Sequence, residues 1–215
     1  MKAEEVSLYV VTDPVMIGER RLEDVCREAL EAGVRVFQLR DKQASTRSLI
    51  EQAVRLKRLA ESYGAIFLVN DRADVAVAAR AHGVHVGQDD MPLDEARQIL
   101  GRHAVIGVSV QSPGEARAAE KGGADYLAAN LVFETPTKTD VEGSIGLDGV
   151  RRLRAASGLP LVAIGGIKAE NAASVVAAGA DGVAVVSAVM TATDVKKACR
   201  ELLDAVEEGR RMRRG

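Results

Sequence analysis

Positively charged and amide side chains alternate over five consecutive residues in the first fifth of the sequence. Gln38, Arg40 and Lys42 take every second position of the run Gln38-Leu39-Arg40-Asp41-Lys42, so in an extended chain they face the same side. Two cations and an amide on one inward face are unfavourable unless an anion binds there, and a phosphate or diphosphate meets that need. The run therefore predicts an anion site. Ion pairs with Asp41 or with other acids are the alternative that the sequence leaves open.

Two aspartates follow later apolar segments and could bind a divalent cation. Asp71 lies in Asn70-Asp71-Arg72, and Asp90 ends the run Gly87-Gln88-Asp89-Asp90. Mg²⁺ is usually bound by one or two carboxylates, with water and phosphate oxygens completing its coordination. The pair therefore predicts a site for one Mg²⁺ ion. The spacing is equally compatible with two aspartates that cap the helices following them.

Hydroxyl groups and glycines after the later apolar segments extend the first anion site and suggest a second one. Ser109 ends an apolar segment and could donate to a phosphate oxygen. The polar stretch Glu134-Thr135-Pro136-Thr137-Lys138-Thr139-Asp140 opens a loop that reaches Gly146, and loops of this length are usually functional or mobile. Ile164-Gly165-Gly166-Ile167 and Val185-Val186-Ser187-Ala188 follow two further apolar segments, and glycines let backbone amides approach a phosphate. Two anion sites suit two phosphorylated small molecules.

The elements that must position these residues alternate regularly. Short apolar, β-branched segments are each followed by a helical pattern, which requires a parallel sheet with crossover helices. Eight such pairs in a chain of this length predict a single-domain α/β fold, the (β/α)8 TIM barrel, whose active site lies where strands end. A doubly wound sheet would instead carry a glycine fingerprint after its first strand, where this chain has Thr12-Asp13-Pro14. We predict strands at Leu8–Thr12, Val36–Arg40, Ile66–Val69, Val84–Val86, Val105–Ser109, Tyr126–Ala129, Leu161–Ile164 and Val183–Val186.

Glycines recur where the predicted helices end. Such a glycine can adopt the left-handed conformation that terminates a helix and returns the chain to the sheet. The recurrence supports the barrel independently of the apolar pattern. The four segments are Glu31-Ala32-Gly33-Val34, Ala81-His82-Gly83-Val84, Lys121-Gly122-Gly123-Ala124-Asp125 and Ala177-Ala178-Gly179-Ala180-Asp181.

Composition favours one globular domain over residues 1–215, with about residues 207–215 forming a frayed, solvated tail. Hydrophobic residues make up 47% and charged residues 28% of the 215 residues, and the net charge is -2. This charge predicts no nucleic-acid partner and no attraction to anionic lipid. The sequence shows no apolar run of signal-peptide or membrane-span length, so we expect a cytoplasmic protein. Nothing in it indicates an oligomeric state.

Taken together, these motifs resemble the thiamin-phosphate synthase family from Leu8 to Ala205. The resemblance implies a Mg²⁺-dependent alkyl transferase that couples a pyrimidine diphosphate to a thiazole phosphate, with or without a carboxylate on the thiazole, by dissociative substitution. No protein nucleophile is needed for that reaction. The motifs that carry the resemblance are Gln38-Leu39-Arg40-Asp41-Lys42, Asn70-Asp71-Arg72, His85-Val86-Gly87-Gln88-Asp89-Asp90, Thr135-Pro136-Thr137-Lys138 and Gly165-Gly166-Ile167.

The resemblance also implies roles for individual residues. Asp71 and Asp90 would hold the Mg²⁺ ion. Charge stabilisation on the leaving diphosphate would fall to Arg40, Lys42, Ser109 and Lys138. The pyrimidine diphosphate would be bound by Gln38, Leu39, Arg40, Asp41, Lys42, Asn70, Ser109 and Lys138, and the thiazole phosphate by Thr135, Pro136, Thr137, Gly166, Val186 and Ser187.

Some positions depart from the family pattern or favour other functions. Glu134 stands where many relatives have proline, and Gln111 where some have histidine. We interpret His85 as part of a pocket wall rather than as an acid or base. The alternatives are a thiazole tautomerase, which would use histidine for proton transfer, a phosphosugar isomerase or lyase, which would need an acid–base pair, and a non-catalytic sensor of a phosphorylated metabolite.

Overall fold

Eight parallel strands close into a barrel in the computed structural model of the chain, which describes residues 5–135 and 143–214. Each strand pairs with the next along the sequence, and the eighth pairs with the first. This confirms the predicted (β/α)8 barrel, and each strand begins and ends within one residue of its predicted position. The strands are β1 (Leu8–Val11), β2 (Val36–Leu39), β3 (Ile66–Asn70), β4 (Gly83–Val86), β5 (Val105–Val110), β6 (Tyr126–Asn130), β7 (Leu161–Ile164) and β8 (Gly182–Val185).

Helices connect the strands and cover the outside of the barrel. A short 3-10 helix, Pro14–Ile17, precedes the first of them, and Asp13 caps it by accepting a hydrogen bond from the Val15 amide. No helix within residues 5–135 and 143–214 is both long and apolar enough to cross a membrane. The α-helices are α1 (Leu22–Glu31), α2 (Thr46–Ser62), α3 (Ala73–Ala79), α4 (Leu93–Leu100), α5 (Pro113–Lys121), α6 (Gly146–Ala156), α7 (Ala169–Ala177), α8 (Ser187–Met190) and α9 (Val195–Arg214).

The strands bury apolar side chains on both faces, as parallel strands between helices and a barrel interior must. Outward-facing residues such as Leu8, Val10 and Phe37 join the helices in one large aliphatic cluster. Inward-facing residues form a second, smaller cluster inside the barrel, and two tyrosines are its largest members. The inner cluster contains Val6, Tyr9, Val11, Val36, Leu68, Tyr126, Val162 and Ala184.

A glycine in β5 makes room for one of these tyrosines. Gly107 pairs with Tyr126 of β6, and a Cβ at Gly107 would lie only 2.0 Å from Cζ of the Tyr126 ring. Tyr126 has no exposed surface, so its ring has little freedom to move aside in a close-packed interior. The missing side chain at Gly107 therefore admits the Tyr126 ring to the centre of the barrel.

Three of the four predicted glycine helix exits adopt positive φ, but the one at Gly83 was misinterpreted. The residue with left-handed backbone at that exit is Arg80, at φ 52°. Gly83 itself lies in β4, where a Cβ would fall 1.7 Å from the carbonyl oxygen of Val105. Glycine is thus needed at that position for close approach of the strands. The three exits that match the prediction are Gly33, Gly123 and Gly179.

The C-terminal segment predicted to be frayed at residues 207–215 is helical through Arg214. Arg210 donates from Nη2 to Ser7 Oγ at 2.7 Å and to the Asp181 carbonyl at 2.8 Å. Gly209 lies so close to α7 that a Cβ there would be 2.4 Å from the Ala173 carbonyl oxygen. The segment is therefore not frayed, because a long arginine side chain such as that of Arg210 can lie along the protein and hydrogen-bond at its tip. Arg211, Arg213 and Arg214 are exposed, as predicted.

We expect Gly107→Ala to destabilise the protein by about 1–3 kcal/mol, because the new methyl group would overlap the Tyr126 ring in a packed interior. Urea denaturation of the two proteins measures the difference. Gly114→Ala in α5 is the matched control, since the nearest atom to a Cβ there is Ser112 Oγ at 3.8 Å and alanine is the better helix former. Equal stability of the Gly107→Ala variant and the unaltered chain would contradict this packing argument.

Candidate active site

The carboxyl ends of the strands open into a cavity of about 810 Å³, at the rim where enzymes of this fold carry their active sites. Residues from every strand end or the loop after it contribute to its wall. Most of the predicted site residues are brought together here. Those that line the cavity are Gln38, Arg40, Lys42, Asn70, Asp71, Asp90, Ser109, Thr135, Gly166, Val186 and Ser187.

Two predicted binding residues turn their side chains elsewhere. Leu39 is 1% exposed and packs in the aliphatic cluster between the strands and the helices. The Asp41 carboxylate accepts hydrogen bonds from the amides of Gln43 and Ala44 and from the side chain of Gln52, so it shapes the loop after β2. Alternation points these two side chains away from Gln38, Arg40 and Lys42, and the assignment of Leu39 and Asp41 to the pyrimidine diphosphate stays a prediction. Pro136, Thr137 and Lys138 lie outside the described residues.

Arg40 is held in place by the loop that follows β1. The buried Thr12 hydroxyl accepts a hydrogen bond from the Arg40 amide at 2.9 Å and donates to the Arg40 carbonyl at 3.0 Å. Asp13 forms an ion pair with the Arg40 guanidinium, with 3.3 Å between Oδ2 and Nη1. The ion-pair alternative is therefore realised with Asp13 and not with Asp41. A guanidinium has further N–H donors, so this ion pair leaves Arg40 able to bind a ligand anion as well.

The two aspartates predicted to bind Mg²⁺ both line the cavity, and neither caps a helix. The N-cap residues of α3 and α4 are Arg72 and Pro92. Asp71 has a left-handed backbone, at φ 60°, and its amide donates to the His85 carbonyl at 2.8 Å. Asp90 folds back over its own loop, where Oδ2 accepts from the Gly87 amide at 2.8 Å. These contacts orient the loops after β3 and β4 toward the cavity.

The donor set in this part of the cavity suits Mg²⁺. Carboxylate oxygens of Asp71 and Asp90 are hard ligands of the kind that the ion prefers, and one or two of them suffice when water and phosphate oxygens complete the coordination. A Cβ at Gly87 would lie 2.8 Å from Oδ2 of Asp90, so the glycine makes the space that this carboxylate occupies. Over residues 5–135 and 143–214, no group of three or more His, Cys, Asp or Glu side chains could hold a metal by protein ligands alone.

On the opposite side of the cavity, the loop after β7 packs closely on the loop after β6. Gly165 and Gly166 both have positive φ, at 108° and 62°, and a Cβ on Gly166 would lie 2.8 Å from the Glu134 carbonyl oxygen. The Phe133 amide donates to the Gly165 carbonyl at 3.1 Å. The two glycines therefore let the two loops pack closely, and both line the cavity together with Thr135. Backbone amides at a cavity wall are suited to binding a phosphate.

A chain of hydrogen bonds runs across the barrel beneath the cavity. The amide of Gln38 donates to the Tyr9 hydroxyl, and the hydroxyls of Tyr9 and Tyr126 are 2.9 Å apart. His85 joins the chain between Tyr126 Oη, 2.8 Å from Nδ1, and Ser109 Oγ, 2.9 Å from Nε2. Burial raises the pKa of Tyr9 and Tyr126 well above the ordinary tyrosine value, so both hydroxyls keep their protons.

The two tyrosines were missed as site residues, although the sequence contains a signal for them. Each stands at an inward position of an otherwise aliphatic strand, and a buried tyrosine hydroxyl needs a hydrogen-bond partner. His85 is 9% exposed and lines the cavity, in agreement with its interpretation as part of the pocket wall. Lys168 at the end of the loop after β7, together with Gln111 and Glu134, also lines the cavity.

Comparison with known proteins identifies relatives over nearly the whole chain. The sequence model described as thiamine monophosphate synthase matches residues 8–189. A thiamine-phosphate synthase of Chloroflexus aurantiacus is 50% identical over 91% of this chain and 90% of its own length. One of Moorella thermoacetica is 46% identical over 94% of this chain and 97% of its own length.

A solved structure is similar in both fold and sequence. The thiamine phosphate pyrophosphorylase from Pyrococcus furiosus superimposes with a TM-score of 0.88 and is 44% identical, and the match covers 96% of this chain and 98% of that one. The sequence matches and this structural match together show that the chain belongs to the thiamine monophosphate synthase family.

Proposed function

We propose that this protein is a thiamine-phosphate synthase that couples hydroxymethylpyrimidine diphosphate to hydroxyethylthiazole phosphate, releasing diphosphate. Besides family membership, one observation carries the proposal. A single cavity has cations and two carboxylates on one side, at Arg40, Lys42, Asp71 and Asp90, and a glycine-lined backbone on the other, at Gly165-Gly166. An enzyme that joins two phosphorylated molecules needs an anion site for each of them.

The chemistry that these residues would support is a dissociative substitution. The bond between the pyrimidinylmethyl carbon and the diphosphate oxygen breaks, and its electron pair leaves with the diphosphate. The aminopyrimidine ring stabilises the resulting cation, and the lone pair of the thiazole nitrogen then forms the new carbon–nitrogen bond. The balance needs no proton transfer and no protein nucleophile, so the protein's task is to stabilise negative charge on the leaving group.

Arg40, Lys42 and Lys138 are proposed to neutralise that charge, and Ser109 to donate a hydrogen bond to it. Arg40 is suited to this task because Thr12 and Asp13 fix its backbone and guanidinium in advance, and a pre-oriented cation costs little reorganisation during reaction. Lys42 is exposed at the cavity rim, where it can meet an incoming anion. Lys138 is assigned by its place in the Thr-Pro-Thr-Lys motif.

A Mg²⁺ ion is proposed to be held by Asp71 and Asp90. When bound, such an ion would supply positive charge that stabilises the leaving diphosphate. The two aspartates would hold it with oxygen donors from adjacent loops, while Asn70 and Ser109 would bind the same substrate through an amide and a hydroxyl. The thiazole phosphate is assigned to the other side of the cavity, at Thr135, Pro136, Thr137, Gly166, Val186 and Ser187.

The thiazole tautomerase alternative is less well supported. That reaction requires a histidine placed for proton transfer, and the loop after β5 has Gln111 instead. Both ring nitrogens of His85 lie within hydrogen-bond distance of Tyr126 and Ser109, so His85 is built into the wall. A non-catalytic sensor is disfavoured for a different reason, because recognising a phosphorylated metabolite would not require both a cationic cluster and a pair of metal-type carboxylates.

The direct test is to incubate the purified protein with both substrates and to measure thiamine phosphate and released diphosphate. We expect the two products in equal amounts and a strong dependence on Mg²⁺. Samples that contain only one substrate serve as controls. Isomerisation of a thiazole precursor without coupling would favour the tautomerase, and binding of the phosphorylated compounds without turnover would favour the sensor.

We expect Arg40→Ala to lower kcat on the order of 10²- to 10³-fold, the usual loss when a donor to a developing negative charge is removed. Steady-state kinetics with both substrates measure the effect. Arg55→Ala is the matched control, because Arg55 forms an ion pair with Glu23 on the surface, 2.7 Å apart and away from the cavity. Turnover of the Arg40→Ala variant within a few-fold of the control would contradict the assigned role.

We expect Asp71→Asn and Asp90→Asn each to raise the Mg²⁺ concentration required for half-maximal rate, because each replaces a charged oxygen ligand with a neutral one. Titration of the rate with Mg²⁺ gives this concentration for each variant. Asp74→Asn provides the comparison, since Asp74 is exposed and pairs with Arg72. An unchanged Mg²⁺ requirement in both of the first two variants would show that the ion, if needed, binds elsewhere.

A further inference from the structure

The hydrogen-bond chain under the cavity has a direction, because each of its protons points from a donor to an acceptor. The distances between its atoms do not give that direction. Tyr9 accepts from the Gln38 amide and lies 2.9 Å from Tyr126 Oη. Tyr126 Oη lies 2.8 Å from Nδ1 of His85, and Nε2 of His85 lies 2.9 Å from Ser109 Oγ. A hydroxyl has a single proton to donate, so when each hydroxyl uses that proton on its neighbour in the chain, the direction at one end sets the direction at every later step.

Gln38, which is 4% exposed, is the donor at one end of the chain. Because the Gln38 N–H donates to Tyr9 Oη, the Tyr9 proton is available for Tyr126. Tyr126 then directs its own proton to Nδ1 of His85. A neutral imidazole carries one N–H, so an Nδ1 that accepts leaves the proton on Nε2, from where it is donated to Ser109 Oγ. Ser109 is left with its hydroxyl proton free to point into the cavity that it lines.

We propose that Gln38, Tyr9, Tyr126, His85 and Ser109 form a one-way relay of hydrogen bonds that holds His85 as the Nε2–H tautomer and presents the Ser109 hydroxyl to the cavity as a donor to a diphosphate oxygen. Tyr126 and His85 are then positioning residues that act through Ser109. This inference rests on the proposed function for the identity of the anion. The proton direction itself does not depend on that function.

Two features of the molecule support this direction. The relay ends in a cavity that also contains Arg40 and Lys42, so a donor at Ser109 matches the charge of the ligand that these cations select, whereas lone pairs would repel it. The raised pKa values of Tyr9 and Tyr126, caused chiefly by burial, keep both hydroxyl protons available over the ordinary pH range. Among the described residues, no buried side-chain polar atom lacks a partner, so the relay is complete.

The relay also excludes one chemical role for Ser109. A serine activated as a nucleophile donates its proton to an unprotonated histidine nitrogen. Here Nε2 carries the proton and donates, so His85 cannot remove the Ser109 proton. The relay therefore suits anion binding and disfavours covalent catalysis at Ser109, which is consistent with a substitution in which the leaving group needs only stabilisation.

The tautomer can be observed directly in the unaltered protein by proton–nitrogen NMR of the histidine rings, in which protonated and unprotonated nitrogens resonate in separate regions. The chain has 3 histidines, and the His85 signals are those lost in a His85→Gln variant. We expect Nε2 of His85 to be protonated and Nδ1 to be unprotonated. The reverse assignment would overturn the proposal, whatever reaction the protein catalyses.

The coupling to Ser109 can be measured with inorganic diphosphate and Mg²⁺ as the probe, by calorimetric titration. Tyr126→Phe removes one hydroxyl and leaves the ring in place. We expect it to weaken diphosphate binding about tenfold, the usual scale for a hydrogen bond to a charged group. In a Ser109→Ala background the same substitution should have little further effect, because the group through which Tyr126 acts is absent.

Tyr63→Phe is the matched control, since the Tyr63 hydroxyl hydrogen-bonds Glu31 on the surface at 3.2 Å, and we expect unchanged binding. Equal losses from Tyr126→Phe with and without Ser109 would overturn the relay, because the effect would then be general loss of packing. If Tyr126→Phe does not fold, the NMR measurement on the unaltered protein still decides the direction. If the unaltered protein does not bind diphosphate, the proposed function is contradicted. The NMR measurement of the His85 tautomer tests the relay independently of that result.

Discussion

Closure of the sheet into a barrel is what brings the functional groups of this molecule together. Pairing of β8 with β1 leaves an enclosed interior, and side chains alternate along every strand between that interior and the surrounding helices. Close approach of the strands requires glycine where a side chain would strike a neighbouring backbone, as at Gly182, whose Cβ would lie 1.8 Å from the Val6 carbonyl oxygen. Because all strands are parallel, their carboxyl ends lie at one rim, and residues distant in sequence reach a single cavity.

The barrel interior is apolar at one end and polar at the other. Its lower part is filled by aliphatic side chains, and polar groups begin at the level of Tyr9 and Tyr126. Burying these groups is tolerable only because each has a hydrogen-bond partner. The polar layer thus links the aliphatic core to the cavity, and it determines which groups at the cavity floor donate and which accept.

Much of the fold could be predicted from the sequence, because local pattern and global architecture agree. The apolar segments located every strand to within one residue, since strands buried on both faces are nearly continuous in apolar character. The errors occurred where a local pattern has two structural meanings. Gly83 was assigned to a helix exit although it serves strand packing, and the arginines near the C-terminus were taken as a solvated tail although Arg210 binds Ser7 and Asp181.

Which side chains share a face of a strand follows from the amino-acid order alone, because alternation is a property of the extended backbone. Gln38, Arg40 and Lys42 were assigned to one face on that basis, and they do line the cavity. The partners of those side chains, by contrast, depend on how the chain folds. Asp13 as the partner of Arg40, and Tyr126 as the partner of Tyr9 over a separation of 117 residues, depend on the register of the closed barrel, and no local pattern contains that register.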